Sequence, residues 1–316
     1  MPLSFDDIKT AADRIAGRVR PVAVAPLDPG AVPGATVWLA LEFMQHTGSF
    51  KARGAHNFLA AHHEAGTLPE AGVTIASGGN AGLACAWAAR EHGTPATVFL
   101  PRTAPRVKVE RLRSYDADVR PAGTQYAEAL AACEEFAART GALASHAYDH
   151  PLIAAGAGTL LEEIRRHVPG LDTVVVAVGG GGLLAGVATA AHRHGVRTVA
   201  VEPENCRALN AALEAGRVVD VGVDSIAADS LGARRASATA LHVARHTGAV
   251  SVLVPDAGIE GARDLLWEHR RVAVEHGAAT ALAALSTGAY APAEGETVAV
   301  VLCGANTDPG TLVRGV

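Results

Sequence analysis

The sequence has few aromatic residues, few charged residues and no excess of positive charge. Aromatic side chains make up 4% of the 316 residues and charged side chains 19%. The 27 Lys and Arg face 32 Asp and Glu, a formal net charge of −5, so the basic surface of nucleic-acid-binding proteins is missing. The N-terminus has no basic patch followed by an apolar stretch, so we expect no signal peptide and a cytoplasmic location.

Cysteine is also scarce, and its spacing excludes two classes of protein. Cys85, Cys133, Cys206 and Cys303 are widely separated and form no C-x-x-C pair. This argues against a zinc ribbon and a disulfide scaffold, and it fits a reducing compartment.

An uncharged apolar stretch over residues 173–191 resembles a membrane span. Four consecutive glycines interrupt it at Gly179–Gly182, and glycines are costly inside a helix. We therefore interpret this stretch as a strand, a glycine loop and a helix, and we expect no membrane partner.

What the sequence does have is a regular alternation of strand and helix patterns. The chain is 49% hydrophobic, enough to bury a full core, and its length suggests two compact units. Alternating strands and helices of these lengths predict an α/β fold with parallel sheets, whose ligands bind in a cleft. The predicted strands cover residues 36–41, 73–76, 96–100, 118–121, 142–145, 174–178, 198–201 and 298–302. The predicted helices cover residues 5–17, 51–65, 81–92, 106–115, 126–140, 160–167, 183–194 and 260–276.

Lys51 is the first candidate catalytic residue. It lies in Gly48-Ser-Phe-Lys-Ala-Arg-Gly54 at the predicted start of a helix, where the helix dipole disfavours a cation. The flanking Phe50 and Ala52 offer little charge compensation, so we expect a lowered lysine pKa. The neutral amine is the form that bonds to a carbonyl carbon. The alternative is an ordinary solvated lysine.

Two glycine-rich turns between a strand and a helix are candidate ligand loops. In Ser77-Gly-Gly-Asn-Ala-Gly82, the first amides of the helix could bind a carboxylate, or Asn80 could simply cap the helix. Gly179–Gly182 is more specific, because consecutive glycine amides at a helix start form a phosphate cradle.

The second glycine loop leaves another cofactor class open. Gly180, Gly182 and Ala185 satisfy a relaxed dinucleotide pattern, and Glu202 lies about where a ribose-binding acid belongs. An NAD(P) oxidoreductase is therefore a rival interpretation, as is a binding protein without enzymatic activity.

Cys303 and Glu275 complete the candidates. Cys303 ends a predicted buried strand in Val301-Leu-Cys-Gly-Ala-Asn306, where a cleft would lie, and is otherwise a small buried hydrophobe. Glu275 follows an apolar run, and the alternative is a solvated helix end.

These segments, in this order, resemble the fold type II pyridoxal-phosphate (PLP) enzymes of the serine/threonine dehydratase (threonine ammonia-lyase) group. The resemblance runs from about Val37 to Asp308. It implies a tryptophan synthase β-like fold of two open, parallel-type α/β domains with the active site in the cleft between them. Residues 1–70 and 149–316 would form the large PLP-binding domain, and residues 71–148 the small domain.

The resemblance also implies a role for each site residue. Lys51 would carry the cofactor covalently, and Asn80 would contact its 3′-oxygen. The substrate carboxylate would be held by Ser77, Gly78, Gly79, Asn80 and Ala81. The remaining cofactor contacts would come from Phe50, from the phosphate loop Gly179, Gly180, Gly181 and Gly182, from Glu275 near the ring, and from Cys303 at the pyridine nitrogen.

The implied reaction is β-elimination from a small β-hydroxy amino acid. Lys51, as a free amine, would take the Cα proton of L-threonine or L-serine, which would yield 2-oxobutanoate or pyruvate plus ammonia. A neutral Cys303 favours elimination over transamination. Relatives that racemise serine carry a serine where this chain has Gly78, so racemisation is disfavoured, while β-replacement stays an alternative. The sequence does not show which of serine, threonine and hydroxyaspartate is the preferred substrate.

Three further expectations concern ions, regulation and assembly. Glu202-Pro203 matches the family's cation segment, but Ala208 replaces an acidic ligand, which disfavours a divalent ion and leaves a monovalent cation at Glu202. The chain ends soon after Asn306, so we expect no regulatory domain and no isoleucine feedback. The family suggests a homodimer.

Overall fold

Helices and strands alternate along the described part of the computed structural model, residues 3–312. The strands are β1 (Val24–Pro26), β2 (Thr36–Ala40), β3 (Val73–Ala76), β4 (Ala96–Leu100), β5 (Asp118–Pro121), β6 (Leu143–Ala144), β7 (Thr173–Ala177), β8 (Arg197–Pro203), β9 (Val250–Val254) and β10 (Thr297–Val301). The helices are α1 (Phe5–Ile15), α2 (Lys51–Glu64), α3 (Asn80–Glu91), α4 (Arg106–Arg113), α5 (Tyr126–Thr140), α6 (Pro151–His167), α7 (Gly182–Arg193), α8 (Ala208–Ala215), α9 (Ala228–Leu231), α10 (Ala238–Thr247), α11 (Asp256–Arg270) and α12 (His276–Ser286).

The strands form two sheets of different size. A six-stranded sheet has the order β1-β2-β10-β7-β8-β9, and a four-stranded sheet has the order β5-β4-β3-β6. All strand pairs are parallel except β1 with β2. The β-branched run Val174–Val176 in β7 is fully buried, as expected for a central parallel strand with helices on both faces. The α/β architecture with parallel sheets is the one predicted.

Most of the candidate residues lie on loops, or at a helix start, that follow the carboxyl ends of parallel strands. β3 leads into residues 77–79, β7 into residues 178–181 and β10 into residues 302–304, while β2 leads into two 3₁₀ turns before α2. In parallel sheets these ends form the ligand-binding edge.

The predicted helix over residues 260–276 is wrong at its C-terminal end. α11 stops at Arg270, because Arg271 adopts the left-handed conformation with φ 54°. Residues 271–275 are not helical, and α12 then starts with Glu275 as its N-cap residue. The break matters because it places Glu275 beside the ends of the strands rather than inside a continuous helix.

One further predicted helix is too short, and six elements of the structure were not predicted. The predicted helix over residues 160–167 begins nine residues earlier at Pro151, where the ring of His150 accepts a hydrogen bond from the Leu152 amide at 3.2 Å. The small residues Ala154–Gly158 hid this start because they lack an amphipathic period, being buried on every side. β1, β9, α8, α9, α10 and α12 were not predicted.

The described residues include no helix that is long and apolar enough to cross a membrane.

Candidate active site

Lys51 is the first residue of α2, and the turn before it is tied to the end of β10. The Phe50 amide donates to the Cys303 carbonyl at 2.9 Å, and Ser49 forms an isolated bridge with Gly304. Thr47 in the same turn adopts φ 61°, a left-handed conformation that is uncommon for a β-branched residue. Lys51 therefore directly follows a constrained turn that is anchored to the six-stranded sheet.

The Lys51 amine lies in an environment that favours its neutral form. Its Nζ donates to the Ala147 carbonyl at 2.7 Å and lies 4.8 Å from the centroid of the Phe50 ring. Burial lowers the pKa of Lys51 to about 8, while Cys303 and Glu275 act in the opposite direction. The lowered pKa agrees with the prediction, although burial rather than the helix dipole is its main cause.

The tetraglycine loop opens α7 with backbone that has no room for side chains. Gly181 has φ 92°, and a Cβ there would lie 2.3 Å from the Cβ of Ala240. A Cβ on Gly180 would lie 2.3 Å from the Tyr148 ring. The first amides of α7 have no partner within the helix, so this end can hold an anion such as a phosphate.

The loop after β3 provides a second helix start. α3 begins at Asn80, and the Gly79 amide donates to the Ser77 Oγ at 3.3 Å. A carboxylate is the kind of anion that such amides bind. This anion site and the tetraglycine loop follow strands of different sheets.

Asn80, Glu275 and Asn306 form a hydrogen-bonded network that joins the loop after β3 to the N-cap of α12 and to the segment after β10. Nδ2 of Asn80 donates to both carboxylate oxygens of Glu275, at 2.9 and 3.0 Å. Nδ2 of Asn306 donates to Oδ1 of Asn80 at 2.6 Å. Burial raises the pKa of Glu275, and a Cβ on Gly304 would lie 2.4 Å from its Oε1, so a side chain at position 304 would displace the carboxylate. The sequence analysis predicts no role for Asn306.

Cys303 is buried two residues after the end of β10, close to Lys51. Burial raises the pKa of its thiol well above the usual range, so Cys303 is neutral at physiological pH. A neutral thiol is a weak hydrogen-bonding group and brings no negative charge to the cleft.

One cavity of about 620 Å³ contacts nearly every predicted site residue. Its walls include Phe50, Lys51, Ser77, Gly78, Gly79, Asn80, Ala81, Gly179, Gly180, Gly181, Gly182, Glu275 and Cys303. Lys108, Tyr126, Tyr148, Asp229 and Arg234 also line it and were not predicted. No pattern in the sequence marks these five, because they come from helix ends and loops whose position depends on the packing of the two sheets.

Glu202, the predicted cation ligand, is absent from this cavity wall. Its carboxylate accepts hydrogen bonds from the amides of Leu209 at 2.8 Å and Asn210 at 2.7 Å, in the first turn of α8. Burial raises the pKa of Glu202 to about 7. Within residues 3–312, no group of three or more His, Cys, Asp or Glu side chains is arranged to hold a metal ion.

Comparison with known proteins decides the family. A model of the pyridoxal-phosphate dependent enzyme family matches residues 18–304. The chain belongs to this family.

Individual relatives agree with the assignment of this PLP-dependent enzyme. The chain is 34% identical over 314 residues to the L-threonine ammonia-lyase of Geobacter sulfurreducens, covering 98% of this chain and 77% of that protein. It is 36% identical over 289 residues to a serine dehydratase-like protein of Rattus norvegicus, covering 87% of this chain and 86% of that protein. The solved structure of maize serine racemase matches with a TM-score of 0.92 at 30% identity, covering 99% of this chain and 96% of that chain. These matches confirm the predicted family and its fold type II architecture, and they exclude the alternative of an NAD(P) oxidoreductase.

The residues of the cavity fit the cofactor of the family. Pyridoxal phosphate needs a reactive amine, a phosphate site and a group at its ring nitrogen. The cavity brings together the Lys51 amine with its lowered pKa, the side-chain-free Gly179–Gly182 loop and the neutral Cys303 thiol. These residues would hold the cofactor.

The lowered pKa of Lys51 predicts how cofactor uptake depends on pH. The neutral amine is the reactive form, so uptake by the cofactor-free protein should accelerate as pH rises and level off above about 8. About a tenth of the Lys51 amine is neutral at pH 7 if its pKa is about 8. Stopped-flow absorbance from about pH 6 to pH 10 checks this, with Nα-acetyl-lysine, whose ε-amine is free, as the reference amine. A rate that climbs in parallel with that of Nα-acetyl-lysine up to pH 10 contradicts it.

Proposed function

We propose that the protein is a PLP-dependent ammonia-lyase that acts on a small β-hydroxy amino acid, L-threonine or L-serine. It would eliminate water across the Cα–Cβ bond, and hydrolysis of the resulting imine would consume a water again and release the keto acid and ammonia. The observation that carries the proposal is one cavity shared by a lysine whose pKa is lowered to about 8, an anion-binding helix start and an uncharged thiol. Similarity to an L-threonine ammonia-lyase and to a serine dehydratase-like protein supports the same reaction class.

The chain's own residues suit proton transfer at the α-carbon. When bound, pyridoxal phosphate supplies a conjugated ring that makes the Cα proton of an attached amino acid acidic. The amides of residues 77–81 would hold the substrate carboxylate and so orient the Cα–H bond. Lys51 would act as the base, since burial keeps a useful fraction of its amine neutral near pH 7.

Cys303 and Gly78 favour elimination over the competing reactions. At the ring nitrogen the chain would offer the neutral thiol of Cys303 rather than a carboxylate. The ring would then withdraw electrons less strongly, which disfavours transamination. Gly78 has no hydroxyl that could return a proton to the opposite face of Cα, so racemisation lacks a second acid at this position.

Product analysis tests the proposal and its alternatives together. The purified protein, loaded with pyridoxal phosphate, is incubated with L-threonine, L-serine and 3-hydroxyaspartate, and keto acid and ammonia are quantified. We expect equal amounts of the two products from L-threonine or L-serine, with no D-enantiomer on chiral chromatography. Accumulation of D-amino acid, or keto acid only from hydroxyaspartate, would replace the proposal with the corresponding alternative.

We also propose the finer points of organisation that the sequence suggests. Every strand of the four-stranded sheet lies within residues 71–148, which supports a small domain there and a large domain from residues 1–70 and 149–316. A homodimer, a cytoplasmic location and a monovalent cation beside Glu202 are further proposals. The cation is tested by activity in potassium against tetramethylammonium buffers.

A further inference from the structure

We infer that Asn306 is a positioning residue, which fixes the side-chain amide of Asn80 in the orientation that cofactor binding requires. The inference rests on the proposed function to the extent that Asn80 contacts the cofactor there. Nδ2 of Asn306 donates to Oδ1 of Asn80 at 2.6 Å and to the Thr47 carbonyl at 2.8 Å. One side chain thus joins the asparagine loop, the lysine turn and the segment after β10.

The network allows the Asn80 amide only one orientation. A carboxylate only accepts hydrogen bonds when ionised, so Glu275 requires the NH₂ group of Asn80 to face it. The NH₂ group of Asn306 only donates, so it requires the oxygen of Asn80 on the other side. A flipped Asn80 would set donor against donor and acceptor against acceptor. Asn306 therefore determines which group Asn80 can present to a ligand.

Asn306 is itself held in place by the turn of residues 47–50, which directly precedes Lys51. The Ala305 amide donates to the Gly48 carbonyl at 2.9 Å, and a Cβ on Gly48 would lie 2.8 Å from Oδ1 of Asn306. The neighbouring Thr47 has φ 61°, and its buried Oγ1 finds no partner among residues 3–312. The bond from Asn306 to the Thr47 carbonyl stabilises this strained residue, four positions before Lys51. Loss of Asn306 should affect both Asn80 and the lysine turn.

Two substitutions separate positioning from simple packing. Asn306→Ala removes both donors, and Asn306→Asp keeps the size but turns the donor into an acceptor facing two acceptors. We expect the dissociation constant for pyridoxal phosphate to rise about tenfold or more in both variants. We also expect the visible absorbance band of the bound cofactor to change its position or its pH dependence. The isosteric Asp variant keeps the test valid if the Ala variant folds poorly.

Asn57→Ala is the matched control. Asn57 is fully buried and also makes two side-chain hydrogen bonds, with the Leu152 carbonyl at 2.7 Å and with Arg14 at 3.0 Å. It should lower the thermal unfolding midpoint but leave the cofactor spectrum and dissociation constant at wild-type values.

The possible outcomes distinguish this inference from the proposed function. Two results would overturn the positioning role and leave the proposed function standing. In one, both Asn306 variants keep the wild-type cofactor affinity and spectrum; in the other, Asn57→Ala changes them as much as the Asn306 variants do. A wild-type protein that takes up no pyridoxal phosphate would overturn the proposed function and the inference with it.

Discussion

Replacing Lys51 with alanine should abolish covalent attachment of pyridoxal phosphate and reduce turnover by at least about 10³-fold, since one amine serves as anchor and as base. The variant should still fold, because the substitution removes a hydrogen bond from the Nζ of Lys51 to the Ala147 carbonyl at the wall of a cavity and leaves no unfilled space within a packed core. Its tetraglycine loop is intact, so we expect weak, reversible cofactor binding without the visible band of the covalent adduct.

Borohydride reduction followed by peptide mass mapping checks this result with little ambiguity. The chain contains three lysines, Lys9, Lys51 and Lys108, so a labelled peptide identifies its lysine directly. Wild-type protein should carry the label on Lys51 alone. Lys9→Ala is the control, because Lys9 is exposed on α1, pairs with Asp6 at 2.7 Å and does not line the cavity. Label on Lys108, or full turnover by Lys51→Ala, contradicts the assignment of the catalytic lysine.

Local sequence was enough to identify many, but not all, of the residues that line the cavity. Lys51, Ser77–Ala81, Gly179–Gly182 and Cys303 each follow a strand whose apolar run is readable, so each could be assigned to one edge of a sheet. Parallel sheets align the carboxyl ends of their strands, so this rule alone brings most of the site together.

The contacts that hold these residues depend on distant parts of the chain, so the sequence could not reveal them. Ala147, which accepts from the Lys51 amine, lies 96 residues away, and Asn306 lies 226 residues from Asn80. The break at Arg271 was missed for a different reason. The left-handed conformation of an arginine leaves no sign in hydrophobic periodicity, so two helices looked like one.

Arg53 is the clearest residue whose importance only the structure reveals. It lies two positions after Lys51 in α2 and is fully buried. Its guanidinium binds Glu42 at 2.6 and 3.0 Å, and Glu163 at 2.6 and 2.9 Å. These carboxylates raise the pKa of Arg53, so the guanidinium stays charged in spite of burial. The pairs connect the first turn of α2 to α6 and to the 3₁₀ turn Glu42–Met44, and so fix the start of the lysine helix.

Arg53→Ala should lower the free energy of unfolding by about 3–5 kcal/mol, because it leaves two carboxylates without their cation in a buried setting. Glu42 is 1% exposed and Glu163 20% exposed, so Glu42 bears more of the penalty. Adding Glu42→Gln to Arg53→Ala removes that buried charge and should recover part of the loss. Urea unfolding of the cofactor-free proteins measures both effects.

Arg106→Ala supplies the comparison for Arg53→Ala, since it removes an arginine from a pair in which both partners face solvent. Arg106 is 91% exposed and Glu110 54% exposed, and such pairs contribute about 1 kcal/mol or less. The start of α2 should also loosen in Arg53→Ala, so its affinity for pyridoxal phosphate should fall along with its stability, whereas Arg106→Ala should keep both. If Arg53→Ala unfolds at the same urea concentration as Arg106→Ala, the buried ion pairs do not hold α2, and the lysine turn is held instead by its contacts with residues 303–306 after β10.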